Sequence, residues 1–133
     1  MPNVIQDILR ECKTVAVVGL SSDQSRPSYR IARYLQGCGF KVIPINPSIS
    51  EVLGEKAYAS LRDVPEKIDI VDVFRRAEDV PPIADDAIAI GAKCLWMQEG
   101  IVNKEAAKKA EQAGLKVVMD RCIMMEHLHS KEF

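Results

Sequence analysis

The residues whose types and spacing could do chemistry begin at Gly19-Leu20-Ser21-Ser22 and run to Arg26-Pro27-Ser28. They follow an apolar, β-branched run, Val15-Ala16-Val17-Val18, of the kind that suits a strand buried on both faces. Pro27 suits the first turn of a helix, where its missing N–H is not needed. A helix starting there leaves unpaired N–H groups facing the polar turn, backed by the positive end of the helix dipole. The hydroxyls of Ser21, Ser22 and Ser25 add donors. That chemistry is anion binding, and phosphate above all.

A dinucleotide is the first ligand to test, and the residues argue against it. The pattern G-x-G-x-x-G needs its second glycine for close pyrophosphate approach and its third for helix–strand packing. Ser21 and Gln24 stand at those positions, and only Gly19 remains. The carboxylate that should grip the ribose diol about 20 residues further on is also missing. Asn46-Pro47 stands there instead. Ordinary NAD binding is therefore not expected.

The elements that must position this turn follow from the pattern. A lead-in helix is predicted over residues 3–12, a first strand over 14–20, and a helix over 27–38 stopped by Gly39. A second strand over 41–46 ends at Pro47, because proline restricts the residue before it. Residues 48–67 read as an irregular connection with one short helical turn. A third strand spans 68–74, and Asp69 and Asp72 within it read as edge or hydrogen-bonded structural residues. A helix over 80–90 follows, with Asp79 as its N-cap and Pro81 and Pro82 in its first turn. Then come a fourth strand over 93–97 and a helix capped by Asn103 with Ala106, Ala107, Ala110 and Ala113 as its buried stripe. A fifth strand spans 116–119, and a short helix covers 122–129.

Strands alternating with helices require right-handed crossovers and a parallel sheet covered on both faces. The expected fold is a Rossmann-like three-layer α/β/α domain with a five-stranded parallel sheet in the order 3-2-1-4-5. That order opens a crevice beside strand one at the C-terminal edge of the sheet. Arg26, Arg30 and Lys41 are expected near its mouth. Arg75 and Arg76 follow strand three at the same edge, and Met97-Gln98-Glu99-Gly100 follows strand four. Several cations around one crevice suit a ligand with more than one phosphate, which guanidinium can grip with two parallel hydrogen bonds.

Composition bounds the rest. With 133 residues the chain is long enough for one domain with a real core. A formal charge of -1 gives no global attraction to nucleic acid or to a membrane surface, so an anion site must be local. No apolar run approaches the roughly 20 residues that span a bilayer, and residues 1–13 carry Asp7 and Glu11 where a signal peptide would be apolar. The four cysteines are widely spaced, with no C-x-x-C pair. A cytoplasmic protein with reduced thiols is expected.

Six ordered motifs carry a family resemblance: Gly19-Leu-Ser-Ser, Ser25-Arg-Pro-Ser-Tyr29, Val42-Ile-Pro-Ile-Asn-Pro47, Ile68-Asp-Ile-Val-Asp-Val-Phe-Arg75, Trp96-Met-Gln-Glu-Gly100 and Asp120-Arg-Cys122. Together they resemble the small CoA-binding domain proteins, stand-alone relatives of the CoA-binding domain of succinyl-CoA synthetase α subunits and acyl-CoA synthetases. The resemblance spans about residues 12–130. It implies coenzyme A as ligand and no particular reaction. Carried over by position, Gly19, Leu20, Ser21 and Ser22 would meet phosphate, with Arg26 and Ser28 nearby. Lys41, Asn46 and Pro47 would line the nucleotide or phosphate region. Val73, Phe74 and Arg75 would border the adenosine or pantetheine path, and Met97, Gln98 and Gly100 would close the far wall. The synthetase α subunit carries a phosphorylated histidine in a further domain. Neither His127 nor His129 inherits that role.

No nucleophile–base–orienter set can be assembled from these residues. The favoured reading is therefore a CoA-binding module without catalysis. Two alternatives stay open. Cys122, beside Arg121, could act as a thiol in acyl transfer or in a mixed disulfide with CoA, although a small buried packing residue is the preferred reading. The chain could also dock on a separate acyl-CoA synthetase-type partner and complete its active site.

Overall fold

The computed structural model describes residues 4–130. Helix α1 (Val4–Glu11) leads into strand β1 (Thr14–Val18), helix α2 (Pro27–Gly37) and strand β2 (Lys41–Ile45). The start predicted for α1, Asn3, lies outside the described residues. A two-stranded hairpin, β3 (Glu51–Val52) and β4 (Glu55–Lys56), precedes a 3-10 turn at Leu61–Asp63 and strand β5 (Ile70–Val73). Helix α3 (Val80–Ala89), strand β6 (Cys94–Met97), helix α4 (Lys104–Gln112), strand β7 (Lys116–Val118) and helix α5 (Ile123–Ser130) complete the chain. No helix of the described residues is long and apolar enough to cross a membrane.

The main sheet is parallel, in the order β2-β1-β5-β6-β7. The Rossmann-like class is as expected, with one correction to which segment fills which place. The predicted strand three, now β5, lies between β1 and β6 rather than outside β2. The outer place is held by Tyr58, which forms a parallel bridge to Ile45. Its N–H donates to the Pro44 carbonyl at 3.0 Å, and its own carbonyl accepts from Asn46 N–H at 2.9 Å. Asp69 fixes β5 beside β1. Its carboxylate accepts the N–H groups of Lys13 and Thr14 at 2.8 and 3.1 Å, and its own N–H donates to the Thr14 carbonyl at 3.0 Å. Burial alone would raise the Asp69 pKa, but those two N–H donors and Lys93 outweigh it and hold the carboxyl below its ordinary value.

Side chains alternate between the two faces of the sheet, as the pleat requires. Ala16, Val18, Ile43, Val71, Val73, Leu95 and Met97 pack with Val80, Ala84, Ala106 and Ala110 of α3 and α4. Val15, Val17, Val42, Ile70 and Trp96 pack with Ile8, Ile31, Leu35 and Ile123 of α1, α2 and α5. Trp96 is completely buried, and its indole N–H donates to the Arg121 carbonyl at 2.8 Å.

Local signals set most helix ends. Asn103 caps α4, its side-chain oxygen accepting the Ala106 N–H at 2.9 Å. Ala113, predicted inside the stripe, is instead the exposed residue that ends the helix. Asp79 stands at the N-cap of α3 but makes no capping bond. The hairpin was not foreseen: Leu53 and Gly54 turn it with φ of 55° and 76°, the type I′ signs, without the usual Asn-Gly signal.

Candidate ligand-binding site

The C-terminal edge of the sheet is organised by the turn after β1. Gly19 has φ of +91°, and a Cβ there would sit 2.6 Å from the Phe74 carbonyl oxygen. Only glycine permits both. The turn is tied to both flanking strands: Gly19 N–H donates to the Ile45 carbonyl at 2.9 Å, and Phe74 N–H to the Val18 carbonyl at 2.8 Å. Asn46 adds a third tie, its side-chain amide donating to the Leu20 carbonyl at 3.0 Å. Asn46 also accepts the Ser48 N–H at 2.8 Å, which closes the corner before α2's neighbouring hairpin.

Within the turn, some predicted donors are already used. Ser21 N–H donates to the hydroxyl of buried Ser28 at 3.1 Å, and the Ser21 hydroxyl accepts the Asp23 N–H at 3.0 Å. Ser25 bonds the Asp23 carboxylate through both its N–H and its hydroxyl, which holds the Asp23 pKa below its ordinary value. Ser22 and Arg26 are exposed. Arg26 precedes α2 with extended backbone and leaves the helix start without a side-chain cap.

Two hollows open at this edge and meet at Arg75 and Asp79. The larger, of about 600 Å³, is lined on its apolar side by Pro27, Ile31, Phe74 and Ile101, and also takes in Arg76, Gln98, Glu99 and Cys122. The smaller, of about 470 Å³, lies toward β2 between Ile45, Pro47, Ser60 and Ile83. Arg75 Nε would be 3.3 Å from a Cβ on Gly19, so the guanidinium lies against the turn. None of the ion pairs among the described residues takes in Arg75.

The far wall is built on a buried polar pair. Gln98 follows β6, is 3% exposed, and donates through its side-chain nitrogen to Asp72 Oδ1 at 2.6 Å. Asp72 is completely buried, and its Oδ2 has no partner among the described residues. Burial pushes its pKa up to about 8, against the opposing hydrogen bond from Gln98. Asp72 is thus the hydrogen-bonded structural residue expected, but at the centre of the sheet rather than at an edge. Gly100 N–H is fixed by the Asp120 carboxylate at 2.7 Å.

Apart from the turn residues, Ser28, Asn46 and Gly100 already placed, the predicted residues divide three ways. Phe74, Arg75, Gln98 and Pro47 border the hollows. Leu20, Val73 and Met97 have fully buried side chains, so only their backbone can serve a ligand. Lys41 must be corrected. It begins β2, at the opposite edge of the sheet, and pairs with Glu66 at 2.9 Å, which raises its pKa. The cation lies on the expected strand but at its other end. Missed were Asp79, Ile101 and Ser60, which flank strand ends in segments where no periodicity distinguishes a lining residue from a solvated one. Cys122 is half-buried and borders the larger hollow. Cys12 and Cys94 are buried, and that burial raises both thiol pKa values.

Likenesses to known proteins extend over nearly the whole chain. The chain is 42% identical over 127 residues to uncharacterized protein YneT of Bacillus subtilis, covering 96% of this chain and 94% of that one. A solved hypothetical protein from Pyrococcus horikoshii superposes with a TM-score of 0.93 at 41% identity, covering 96% and 89% of the two chains. An ADP-forming acetate–CoA ligase of Archaeoglobus fulgidus is 31% identical over 101 residues, covering 74% of this chain. This chain spans only 15% of that ligase's length. Residues 13–128 match the CoA binding domain family, and the chain belongs to it.

Proposed function

We propose that the protein binds coenzyme A, free or acylated, across the C-terminal edge of the sheet and without catalysing a reaction. The observation that carries this reading is the pair of hollows meeting at Arg75 above the Gly19 turn. CoA has two unlike arms joined by a pyrophosphate. A nucleoside end fits the smaller hollow beside Pro47, the pantetheine arm fits the larger, partly apolar one, and the diphosphate lies at the turn. The Arg75 guanidinium, which enters no ion pair among the described residues, and the start of α2 supply the positive charge there. A cytoplasmic setting, where CoA is abundant, suits this function.

Titration calorimetry tests it. CoA is expected to bind more tightly than dephospho-CoA and far more tightly than NAD, and a stronger response to NAD would overturn the reading. Arg75→Ala is expected to weaken CoA binding roughly 10- to 100-fold, the range for losing a charged hydrogen bond. An unchanged affinity would move the diphosphate away from Arg75.

One observation favours a second reading. Cys122 borders the larger hollow, where the thiol end of CoA would lie, so thiol-dependent acyl transfer or a CoA mixed disulfide is the alternative. In the disulfide case, the Cys122 thiolate attacks an oxidised CoA disulfide and releases one CoA thiolate. Incubation with CoA disulfide would then add one CoA to the wild-type mass and none to Cys122→Ser. The relatives that are ligases also leave a docking role open, in which the chain completes an acyl-CoA synthetase-type partner; co-purification with a larger chain is its test.

A further inference from the structure

We propose that buried Asp72 locks the Gln98 amide so that its carbonyl oxygen faces the larger hollow as a fixed acceptor for a secondary amide N–H of the ligand. This rests on the CoA reading and deepens it: the chemistry recognised is the amide-bearing arm, separate from the phosphates.

A side-chain amide both donates and accepts. Gln98 carries two donor hydrogens on nitrogen and one acceptor oxygen. Its nitrogen is held by Asp72 Oδ1 at 2.6 Å. Ionised, or protonated on Oδ2, the carboxyl offers Oδ1 only as an acceptor, so it is the amide nitrogen that points into the sheet. The Gln98 oxygen therefore points the other way. No donor among the described residues meets it, and it is not sealed from solvent, because Asp72 Oδ2 is the fully buried polar atom left without a partner. Gln98 is otherwise buried and borders the hollow. An acceptor is thus held rigidly at the wall of a space whose other lining is apolar or charged. Its matching partner is an N–H on an uncharged chain, which the pantetheine arm has and an adenosine phosphate does not at that end.

A carboxyl in the middle of a parallel sheet is otherwise hard to account for. Its burial is unfavourable, one oxygen is unsatisfied, and an apolar residue would pack as well. Orienting an amide at the ligand wall gives it a role. Asp72 touches no ligand in this scheme and is a positioning residue.

The test compares CoA with adenosine 3′,5′-bisphosphate, which keeps the nucleoside end and lacks the arm. Gln98→Met removes the acceptor at similar volume and is expected to weaken CoA about 5-fold, one ordinary hydrogen bond, while leaving the bisphosphate within 2-fold. Asp72→Asn frees the amide to turn either way and is expected to weaken CoA by a smaller factor, again without touching the bisphosphate. The double variant should bind CoA no worse than Gln98→Met alone, because Asp72 acts only through Gln98. Equal losses for both ligands, or additive losses in the double variant, would mean a structural role and overturn the proposal. Wild-type affinity for CoA in Gln98→Met would overturn it while leaving the CoA reading intact. Failure of the wild type to bind CoA at all would overturn both.

Discussion

Gly19→Ala is expected to destabilise the protein by about 2 to 5 kcal/mol, combining left-handed backbone strain with a steric clash. At φ of +91° any Cβ is strained, and this one would also stand 2.6 Å from the Phe74 carbonyl oxygen. Neither side can give easily. The turn is bonded to Ile45 and the Phe74 backbone is bonded to Val18, so relief requires β1 and β5 to part at their ends. The melting temperature should fall by roughly 10 °C or more. Gly100→Ala separates the two causes. Gly100 has φ of +85° and nothing within 4 Å of its virtual Cβ, so it should lose only the strain, about 1 kcal/mol. Thermal unfolding of both variants, followed by circular dichroism, checks the difference. Equal losses at positions 19 and 100 would remove the close approach from the account. CoA affinity of folded Gly19→Ala should also drop, because the Arg75 side chain lies against the same spot.

The legibility of this site tracks how local its causes are. Gly19 could be read directly, since an apolar run, a glycine and a helix-opening proline follow one another within 13 residues. The parallel sheet was equally plain, because strands buried on both faces have no polar alternation. The slot of β5 was not. It depends on Asp69 reaching across to Lys13 and Thr14, more than 50 residues away, and nothing local announces such a bond. Tyr58 then takes the outer place with a bridge too short to leave a strand pattern.

The misplaced Lys41 has the same origin. A strand's sequence gives its faces and not which neighbours gather at each end, so a cation at its start was counted with groups at its finish. The serines raise a different point. Residue type indicated hydroxyls near an anion, but Ser21 and Ser25 are engaged in the turn's own bonds with Asp23. Small polar residues serve loop geometry and ligand binding through the same atoms, and composition cannot apportion them. Asp72 was recognisable as structural, whereas its pairing with Gln98 emerged only from the register of β5 against β6.

That register leads to the second large effect, a stability that falls as pH rises. The Asp72 carboxyl has a folded pKa pushed up to about 8 from an ordinary value of 3.8. Between these values the folded chain holds a proton that the unfolded chain has released. The contribution is therefore intact below about pH 4 and is lost progressively up to about pH 8, at about 1.4 kcal/mol per pH unit. Asp69 acts in the opposite sense and in a separate range. Its lowered pKa gives stability that is present above about pH 4 and disappears in stronger acid. Comparing wild type with Asp72→Asn cancels Asp69 and every other titrating group. Urea unfolding at pH 5, 6, 7 and 8 should show the variant gaining on wild type with each step, by roughly 4 kcal/mol over the series. Parallel curves would mean that Asp72 is ionised in the folded state throughout. Its unpartnered oxygen would then need a cation or water, and the carboxyl could no longer be counted among the neutral groups of the sheet.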